Sequence, residues 1–366
     1  MIESLAVENY RSFESYRIDR LATVNLLVGR NNCGKTSLLE AVDFVANKGG
    51  IGSLVRTAIR RNEIVAAFDE DAYSTRAYLP VMTHFFHGHV TGHDCSFVVD
   101  GGSSGMFRAN ILRSADSHNG HGHLIRGSNG ELEVYDVRGD FAVAEVLLFP
   151  DDSIADREAV RFARRRSPIA APAGSLPTEF VATSSLDDPT MNLLWNQIIR
   201  SRQEGQVIDA LKLIDHGIDS VQFLTETGGG ASRILVGSPG GLFRDDLRVP
   251  LGSFGEGMKR LLALAMALAR TSDGVLLIDE IDTGLHYSVL PDMWKLVIET
   301  AIRNNVQVFA TTHSLDCLRG LDAVCQDRPD FAGEVLVHKL DRNLDFAVTL
   351  DAADFQLAIE QELEVR

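Results

Sequence analysis

The apolar positions at the start of the chain change from a strand pattern to a helix pattern around a glycine-rich loop. Residues 2–7 predict a first strand, and the sequence Val-Asn-Leu-Leu-Val at 24–28 predicts a short buried strand that runs directly into a glycine. From Lys35 onward apolar side chains recur at helical spacing, and the Gly-Gly pair at 49–50 predicts the end of that helix. The pattern therefore predicts a strand, a loop and a helix in succession.

Short apolar runs separated by glycine-rich turns follow in the first half of the chain. The runs at 95–99, 107–112, 131–137 and 141–149 predict a meander of antiparallel strands. Three prolines within residues 167–177 exclude a helix there and predict a linker.

Helix-spaced apolar residues return after this linker. Residues 191–199 and 206–214 predict two helices, and residues 251–313 alternate between helix and strand patterns. The tail predicts two short strands, at 334–337 and 346–350, closed by a helix.

Composition places the chain among ordinary globular proteins. Of its 366 residues 45% are hydrophobic and 23% charged, which excludes a mostly disordered, collagen-like or coiled-coil chain. No apolar run approaches the ~20 residues of a membrane span, and the N-terminus lacks a secretory signal pattern, so we expect a cytoplasmic protein without a membrane partner. The four cysteines are scattered, which argues against disulfides or a zinc site. The net charge of −16 argues against a surface that is basic throughout, but a local basic groove remains compatible with it.

The strongest chemical signal is the glycine-bounded loop itself, with the sequence Gly-Arg-Asn-Asn-Cys-Gly-Lys-Thr at 29–36. Glycines let such a loop wrap a polyphosphate, so that its N–H groups and the helix N-terminus face the anion. Lys35 adds positive charge, and the Thr36 hydroxyl is suited to bind Mg²⁺. The residues that we expect to bind the nucleotide here are Gly29, Asn31, Asn32, Gly34, Lys35, Thr36 and Ser37.

Two carboxylates follow a run of four apolar residues late in the chain. Residues 275–278 predict a central parallel strand that delivers Asp279 and Glu280 to the phosphate edge of a sheet. Asp279 would hold Mg²⁺, and Glu280 would orient and deprotonate the attacking water. The alternative is a buried strand whose terminal acids only cap the next turn.

The order of the remaining motifs resembles the layout of ATP-binding-cassette proteins. A Ser-Phe-Gly-Glu-Gly turn at 253–257 precedes the acid pair, and His313 follows it. Together with residues 9–13, 279–286 and 310–314, these motifs resemble soluble ABC-type ATPases of the AAA group, namely OLD-like, RecF and SMC proteins.

This resemblance implies an α/β P-loop NTPase fold, an ABC-ATPase-like head with an antiparallel β flank and an inserted helical lobe. We expect a first ATPase lobe with the phosphate loop and the β meander at 1–150 and a linker with the helical insertion at 151–245. The signature turn, the acid pair and the switch histidine would lie within residues 246–366.

The resemblance also implies ATP and Mg²⁺ as cofactors and ATP hydrolysis as the activity. Lys35, Glu280 and His313 would be catalytic, Thr36 and Asp279 would bind the metal, and a second copy of the chain would complete the site. Ser253, Gly255 and Gly257 would bind the γ-phosphate of the nucleotide held by the second copy, and Asp282 would lie at the seam that faces it. For His313 taken alone, a hydrogen-bonded histidine at a strand end is the alternative.

Such a protein would act as a clamp: ATP binding would close a homodimer, or a higher oligomer, and hydrolysis would reopen it. The resemblance suggests work in DNA repair or phage defence, with DNA and a separate nuclease or effector protein as candidate partners. The stretch after His313 is too short for the TOPRIM nuclease domain of full OLD proteins. The ATP-binding subunit of a transporter and a regulator that binds ATP without turnover are the alternatives. A GTPase would need an Asn-Lys-x-Asp motif, which residues 47–50 do not provide.

Several polar groups have no settled role in the sequence. One group of histidines would form either a metal site or one face of a strand. Two groups of arginines would form either a phosphate contact or a solvated face. The histidine group is His84, His87, His89 and His93, near Asp94 and Cys95, and the arginine groups are Arg157, Arg161, Arg164, Arg165 and Arg166, and Arg56, Arg60 and Arg61. Tyr10 and Arg11 are candidates for adenine contact, and Gln197 is a candidate for a lobe-linking glutamine.

Overall fold

The computed structural model describes residues 1–68, 76–80, 82–89, 96–112, 125–127, 130–132, 141–147, 172–182, 188–212, 215–224, 233–237 and 248–361. The strands are β1 (Leu5–Tyr10), β2 (Phe13–Ile18), β3 (Val24–Val28), β4 (Ile64–Phe68), β5 (Arg76–Pro80), β6 (Ser96–Asp100), β7 (Met106–Leu112), β8 (Ile125–Gly127), β9 (Gly130–Leu132), β10 (Phe141–Leu147), β11 (Thr178–Val181), β12 (Ser220–Leu224), β13 (Arg233–Gly237), β14 (Arg248–Pro250), β15 (Val275–Ile278), β16 (Gln307–Thr312), β17 (Val335–Lys339) and β18 (Val348–Leu350). The helices are α1 (Lys35–Ala46), α2 (Ile51–Arg60), α3 (Asp188–Ser201), α4 (Glu204–Lys212), α5 (Glu256–Arg270), α6 (Leu290–Arg303), α7 (Leu315–Asp327) and α8 (Ala352–Glu360). Within these ranges no helix is both long enough and apolar enough to cross a membrane.

A six-stranded sheet with the order β11–β15–β16–β3–β17–β18 forms the centre of the protein. Its strands pair in parallel from β11 to β17, and only β18 is antiparallel to its neighbour. Every residue of β3, β15 and β16 is buried, as is typical of central parallel strands, although β3 contains Asn25 and β16 contains Gln307, Thr311 and Thr312. The carboxyl ends of these three strands therefore lie at one edge of the sheet and bring together the segments that follow them.

Side chains alternate along β3 between two hydrophobic clusters on opposite faces of the sheet. Leu26 and Val28 belong to one cluster with residues of α5, α6 and α7, including Trp294, whose indole N–H donates to the Cys317 carbonyl at 2.9 Å. Leu27 belongs to the other cluster, with residues of α1, β1 and β2. This period-two alternation holds the β3–α1 unit between two packed layers.

A five-stranded sheet, β10–β7–β6–β1–β2, forms the flank. The predicted antiparallel pairing is confirmed for β6–β7, and β1 pairs antiparallel with both β2 and β6. It is wrong for β10, which pairs in parallel with β7 from Phe141–Met106 to Leu147–Leu112. A parallel pair needs a crossover rather than a hairpin, and the alternation of apolar residues within each strand does not specify this direction.

The region between the linker and the signature turn contains more strand than its pattern predicts. The helix expected at 191–199 lies within α3, and the helix expected at 206–214 is confirmed as α4 up to Lys212, with residues 213–214 outside the described ranges. A three-stranded antiparallel sheet, β12–β13–β14, accompanies them, and β11 adds an edge to the central sheet. The helical lobe is therefore a mixed lobe, whereas the domain boundaries at 150 and 245 stay a prediction.

The histidine-rich segment is not a strand. Residues Met82–Phe85 and His87–His89 form short 3-10 helices, and Gly88 and His89 have φ angles of 70° and 54°, which extended backbone does not adopt. No group of three or more metal-binding side chains occurs in the described part of the chain. His93, Asp94 and Cys95, and the arginines between 157 and 166, lie outside the described residues.

Candidate functional site

The loop between β3 and α1 has the backbone geometry of a phosphate-binding loop. Gly34 has a φ of 96°, and a Cβ atom at this position would lie 2.2 Å from the ring of Phe13, so a side chain is excluded on both grounds. Asn32 adopts the left-handed region with a φ of 61°. Helix α1 begins at Lys35 with no side-chain cap, so its first N–H groups are directed at the loop.

Lys35 folds back over this loop. Its Nζ atom donates to the carbonyl oxygens of Gly29 at 2.7 Å and Arg30 at 2.9 Å, and the residue is only 9% exposed. The ammonium group is therefore held at the centre of the loop, beside the N-terminus of α1, where both favour an anion.

The acid pair lies directly beside the start of α1. The Thr36 hydroxyl is 3.2 Å from both carboxylate oxygens of Asp279. Thr311, on β16, donates to Asp279 Oδ1 at 2.7 Å and accepts from the backbone N–H of Glu280 at 2.8 Å. The Asp279 carboxylate, which follows β15, is thus held by Thr311 of β16 beside the loop that follows β3.

Glu280 faces the switch histidine. Its Oε1 atom lies 3.6 Å from Nδ1 of His313, and the Thr283 hydroxyl donates to its Oε2 atom at 3.4 Å. Both side chains are partly exposed, at 35% for Glu280 and 50% for His313. Nearby, the Thr312 hydroxyl donates to Asp282 Oδ1 at 2.6 Å, so the loop after the acid pair is tied to the end of β16.

A buried arginine supports the backbone of the acid pair from α5. Arg260 is 3% exposed and donates from Nη2 to the carbonyl oxygens of Asp279 and Glu280, each at 3.2 Å. Its Nη1 atom donates to the Ala182 carbonyl at 2.9 Å. Burial lowers the pKa of this guanidinium, while the neighbouring carboxylates, Asp282 first among them, favour its charged form.

The signature turn is exposed at the surface. A 3-10 helix at Leu251–Phe254 leads through Gly255, with a φ of 86°, into α5, and Ser253 and Gly255 are exposed. Gly257 is close to the segment after the acid pair, because a Cβ atom there would lie 3.5 Å from the Leu285 side chain. The signature turn therefore contacts its own acid-pair segment while it presents Ser253 outward.

A cavity of about 640 Å³ joins the phosphate loop and the acid pair. Eight predicted site residues line it: Asn31, Asn32, Gly34, Lys35, Thr36, Ser37, Asp279 and Glu280. The predicted residues that do not line it are Gly29, Ser253, Gly255, Gly257, Asp282 and His313. Ser12, Arg61, Thr311 and Arg342 also line the cavity. The prediction did not assign these four residues to the site: Ser12 and Thr311 lie within the motifs at 9–13 and 310–314, Arg61 lies within an arginine group, and Arg342 belongs to no motif.

The adenine candidates are wrong. Tyr10 is fully buried, its ring packs 5.1 Å from that of Phe97, and burial raises the pKa of its hydroxyl. Arg11 is bound within the flank by Glu40 and Glu63, at 3.0 and 2.8 Å. Neither side chain is therefore available to contact the adenine base of a nucleotide.

Two other polar candidates also have partners within the protein. Gln197 is exposed on α3 and accepts a hydrogen bond from Arg270, and it does not line the cavity. The patch of Arg56, Arg60 and Arg61 is paired, with Asp43 for the first two and with Glu40 for the third. This patch is therefore not an unpaired basic surface.

Two family models match the chain, one over the segment that contains the acid pair and one over the segment that contains the phosphate loop. The family model described as "AAA domain, putative AbiEii toxin, Type IV TA system" matches residues 136–318, half of the chain, and includes the signature turn, the acid pair and His313. The model described as "AAA ATPase domain" matches residues 1–77, which contain the phosphate loop.

Individual relatives match most of the chain at low identity. A protein of Helicobacter pylori named ATP/GTP phosphatase is 23% identical over 354 residues, covering 91% of this chain and 90% of its own. An Smc head bound to the C-winged helix domain of ScpA aligns with a TM-score of 0.48 and 15% identity over 96% of this chain and 98% of its own. The SMC head domain of Thermotoga maritima aligns with a TM-score of 0.44 and 13% identity, over 95% and 98%. On the two family matches and the phosphate-loop geometry, the chain belongs to the AAA domains of the first family and is an ATPase with the P-loop NTPase fold.

Proposed function

We propose that the cavity between the phosphate loop and the acid pair binds a magnesium nucleoside triphosphate and that Glu280 promotes its hydrolysis. The observation that carries this proposal is the approach of the Thr36 hydroxyl to both oxygens of Asp279 at 3.2 Å. These two residues are 243 positions apart, and a hydroxyl and a carboxylate beside a lysine and a helix N-terminus form the donor set that a metal-bound triphosphate requires.

The residues fit Mg²⁺ rather than a softer metal. Thr36 and Asp279 offer only oxygen ligands, and Mg²⁺ takes one or two such protein ligands, with phosphate oxygens and waters completing its shell. When bound, the ion would neutralise charge that develops on the terminal phosphates. Thr311 would keep Asp279 aimed at that position through its 2.7 Å hydrogen bond.

Glu280 is the group best placed to act on the attacking water. Its carboxylate lines the cavity and lies 3.6 Å from His313, which would hold the γ-phosphate end and keep the carboxylate oriented. The Lys35 ammonium would exchange its carbonyl acceptors for phosphate oxygens and stabilise the charge on the leaving group. The carboxylate would accept the water proton as the water oxygen bonds to the γ-phosphorus, while the bond from that phosphorus to the β,γ-bridging oxygen breaks and the nucleoside diphosphate leaves.

The exposed signature turn supports a dimeric clamp. Ser253 and Gly255 lie at the protein surface and outside the cavity of their own chain, so they are available to the triphosphate held by a second copy. The hydroxyl and the N–H groups before α5 offer the contacts that a γ-phosphate would accept. Nucleotide binding would close this dimer, and hydrolysis would release it.

The biological setting that we propose is DNA metabolism or defence, with a separate effector protein. The family is described by a putative toxin of a type IV toxin–antitoxin system, and this description supports a defence role. The name of the Helicobacter pylori relative supports hydrolysis of ATP and GTP alike, so both nucleotides belong in the tests.

The hydrolysis proposal is tested by phosphate release from ATP and GTP by the whole chain. Lys35→Ala should abolish nucleotide binding, whereas Glu280→Gln should keep binding and lower turnover by about 10²-fold or more. Glu299→Gln, a matched change on α6 outside the cavity, should leave both quantities unchanged. Full nucleotide affinity in Lys35→Ala would reject the site.

The clamp proposal is tested separately by light scattering on the Glu280→Gln protein. ATP should convert it to a dimer, and Ser253→Arg in the same background should prevent this conversion without weakening ATP binding to the monomer. A Glu280→Gln protein that remains monomeric with saturating ATP would reject the clamp and leave the nucleotide site intact.

A further inference from the structure

Arg342 reaches the phosphate loop from a part of the chain that contains no nucleotide motif. It lies in the loop between β17 and β18, and the backbone on both sides of it is fixed. The Leu340 N–H donates to the Val28 carbonyl at 2.8 Å, and the Asp345 carbonyl accepts from the Arg17 N–H at 3.0 Å. The arginine is thus held between the end of β3 and the flank sheet.

The guanidinium of Arg342 points at the middle of the phosphate loop. Its Nε atom donates to the Asn32 carbonyl at 2.7 Å, and Nη2 donates to the same oxygen. Asn32 is the loop residue with a φ of 61°, so this contact lies where the backbone turns around the anion position. Arg342 lines the cavity together with Lys35 and Thr36.

The charges around this cavity distinguish Arg342 from the other arginine that lines it. Arg61 is paired with the buried carboxylate of Glu40. Among the described residues, no carboxylate forms a salt bridge with Arg342, and its guanidinium donates to a neutral carbonyl oxygen, that of Asn32. A phosphate oxygen is a stronger acceptor than a carbonyl oxygen for a guanidinium, and the two N–H groups on one edge match its geometry.

We propose that Arg342 binds the terminal phosphates of the nucleoside triphosphate and so belongs to the substrate-binding residues of this ATPase. The proposal rests on the proposed function, since it takes the triphosphate to occupy the cavity beside Lys35. When the nucleotide binds, one or both N–H groups of the guanidinium donate to oxygens of the β- and γ-phosphates instead of the Asn32 carbonyl. The loop between β17 and β18 then contributes directly to the recognition of ATP over AMP.

The test compares the affinities of ATP, ADP and AMP for the full chain carrying Arg342→Gln or Arg342→Lys. Arg319→Gln is the matched control, since Arg319 is a surface arginine on α7 whose salt bridge within the described part of the chain is with Asp316. Arg342→Gln should weaken ATP by about tenfold, ADP by less and AMP not at all, because the lost contact is to the terminal phosphates. Arg342→Lys should retain part of the ATP affinity, since charge remains but the second N–H is lost.

Equal weakening of all three nucleotides would overturn the proposal, because a role confined to shaping the loop would not depend on phosphate number. Unchanged ATP affinity would overturn it as well. Should Arg342→Gln fail to fold, as judged by thermal unfolding, the ATP-to-AMP affinity ratio of Arg342→Lys decides between the same outcomes. The Lys35→Ala protein separates the two proposals. If Lys35→Ala loses ATP binding while Arg342→Gln binds ATP fully, the nucleotide site stands and only the role of Arg342 is rejected.

Discussion

Arg260 and Glu280 are joined by a hydrogen bond of 3.2 Å from the guanidinium of the first to the backbone carbonyl of the second. Glu280 has a φ of 47°, an unfavourable value for a residue with a side chain, so its backbone needs support. Arg260 belongs to α5, the helix that starts directly after the exposed signature turn. A displacement of this helix by a partner would therefore act on the backbone that carries the proposed catalytic carboxylate.

Replacing Arg260 should lower both stability and turnover. Arg260→Met keeps much of the side-chain volume but removes the guanidinium donor to the carbonyls of Ala182, Asp279 and Glu280, of which the last keeps the Thr283 N–H at 3.0 Å. We expect a cost of about 2–4 kcal/mol in the free energy of unfolding. We expect turnover to fall at saturating ATP with a small change in KM, since no nucleotide contact is removed. Urea unfolding and steady-state kinetics measure the two effects, and unaltered turnover in a folded variant would contradict the role of Arg260.

Gly34 should tolerate no side chain. Gly34→Ala places a Cβ atom 2.2 Å from the Phe13 ring at a φ of 96°, so the loop must shift and its N–H groups leave the anion position. We expect ATP affinity to fall by more than tenfold. Gly333→Ala, at a position with no atom within 4 Å of the added Cβ, is the control and should bind ATP normally. Titration calorimetry would detect the difference, and equal affinities would mean that the loop adapts.

The parts of the site that lie within one continuous strand, loop and helix could be predicted from the sequence. The strand at 24–28, the loop and the helix from Lys35 are confirmed because apolar periodicity and glycine positions are local signals. The parallel direction of β10 and the burial of Tyr10 depend on long-range pairing, which periodicity does not encode. Arg342 reaches the loop across 310 positions from a hairpin with no motif, so only the fold reveals it.

The buried ion pair of Arg11 and Glu40 should contribute to stability, because loss of Glu40 leaves the buried Nε atom of Arg11 without its carboxylate while Nη1 keeps Glu63. Arg11 Nε lies 3.0 Å from Glu40 Oε2, and their side chains are only 5% and 2% exposed. Glu40→Ala should therefore lower the free energy of unfolding by about 3 kcal/mol. Glu299→Ala removes the partly exposed pair with Arg303 and should cost less than about 1 kcal/mol. Chemical denaturation of both variants makes the comparison, and similar losses would contradict it.

His338 should make the protein less stable in mild acid. The imidazole is fully buried between β3 and β18, with Nε2 3.2 Å from Asn25 Oδ1 and Nδ1 3.0 Å from the Thr349 hydroxyl. Asn25 Oδ1 also accepts from the Ala22 N–H at 2.8 Å, so this oxygen is an acceptor and the proton of the neutral imidazole lies on Nε2. Thr349 then donates to Nδ1 of the neutral imidazole.

Burial lowers the pKa of His338 to about 3, whereas the unfolded chain has the ordinary value of 6.5. Below pH 6.5 the unfolded state binds a proton that the folded state does not, so this contribution to stability is complete above that pH and is lost as the pH falls. We expect the free energy of unfolding to drop by up to about 1.4 kcal/mol per pH unit from this group. The measurement is urea unfolding between pH 7.5 and 5, with His338→Gln as the variant that cannot titrate. Its stability should depend less steeply on pH than that of the parent, and parallel profiles would show that His338 does not set the acid response.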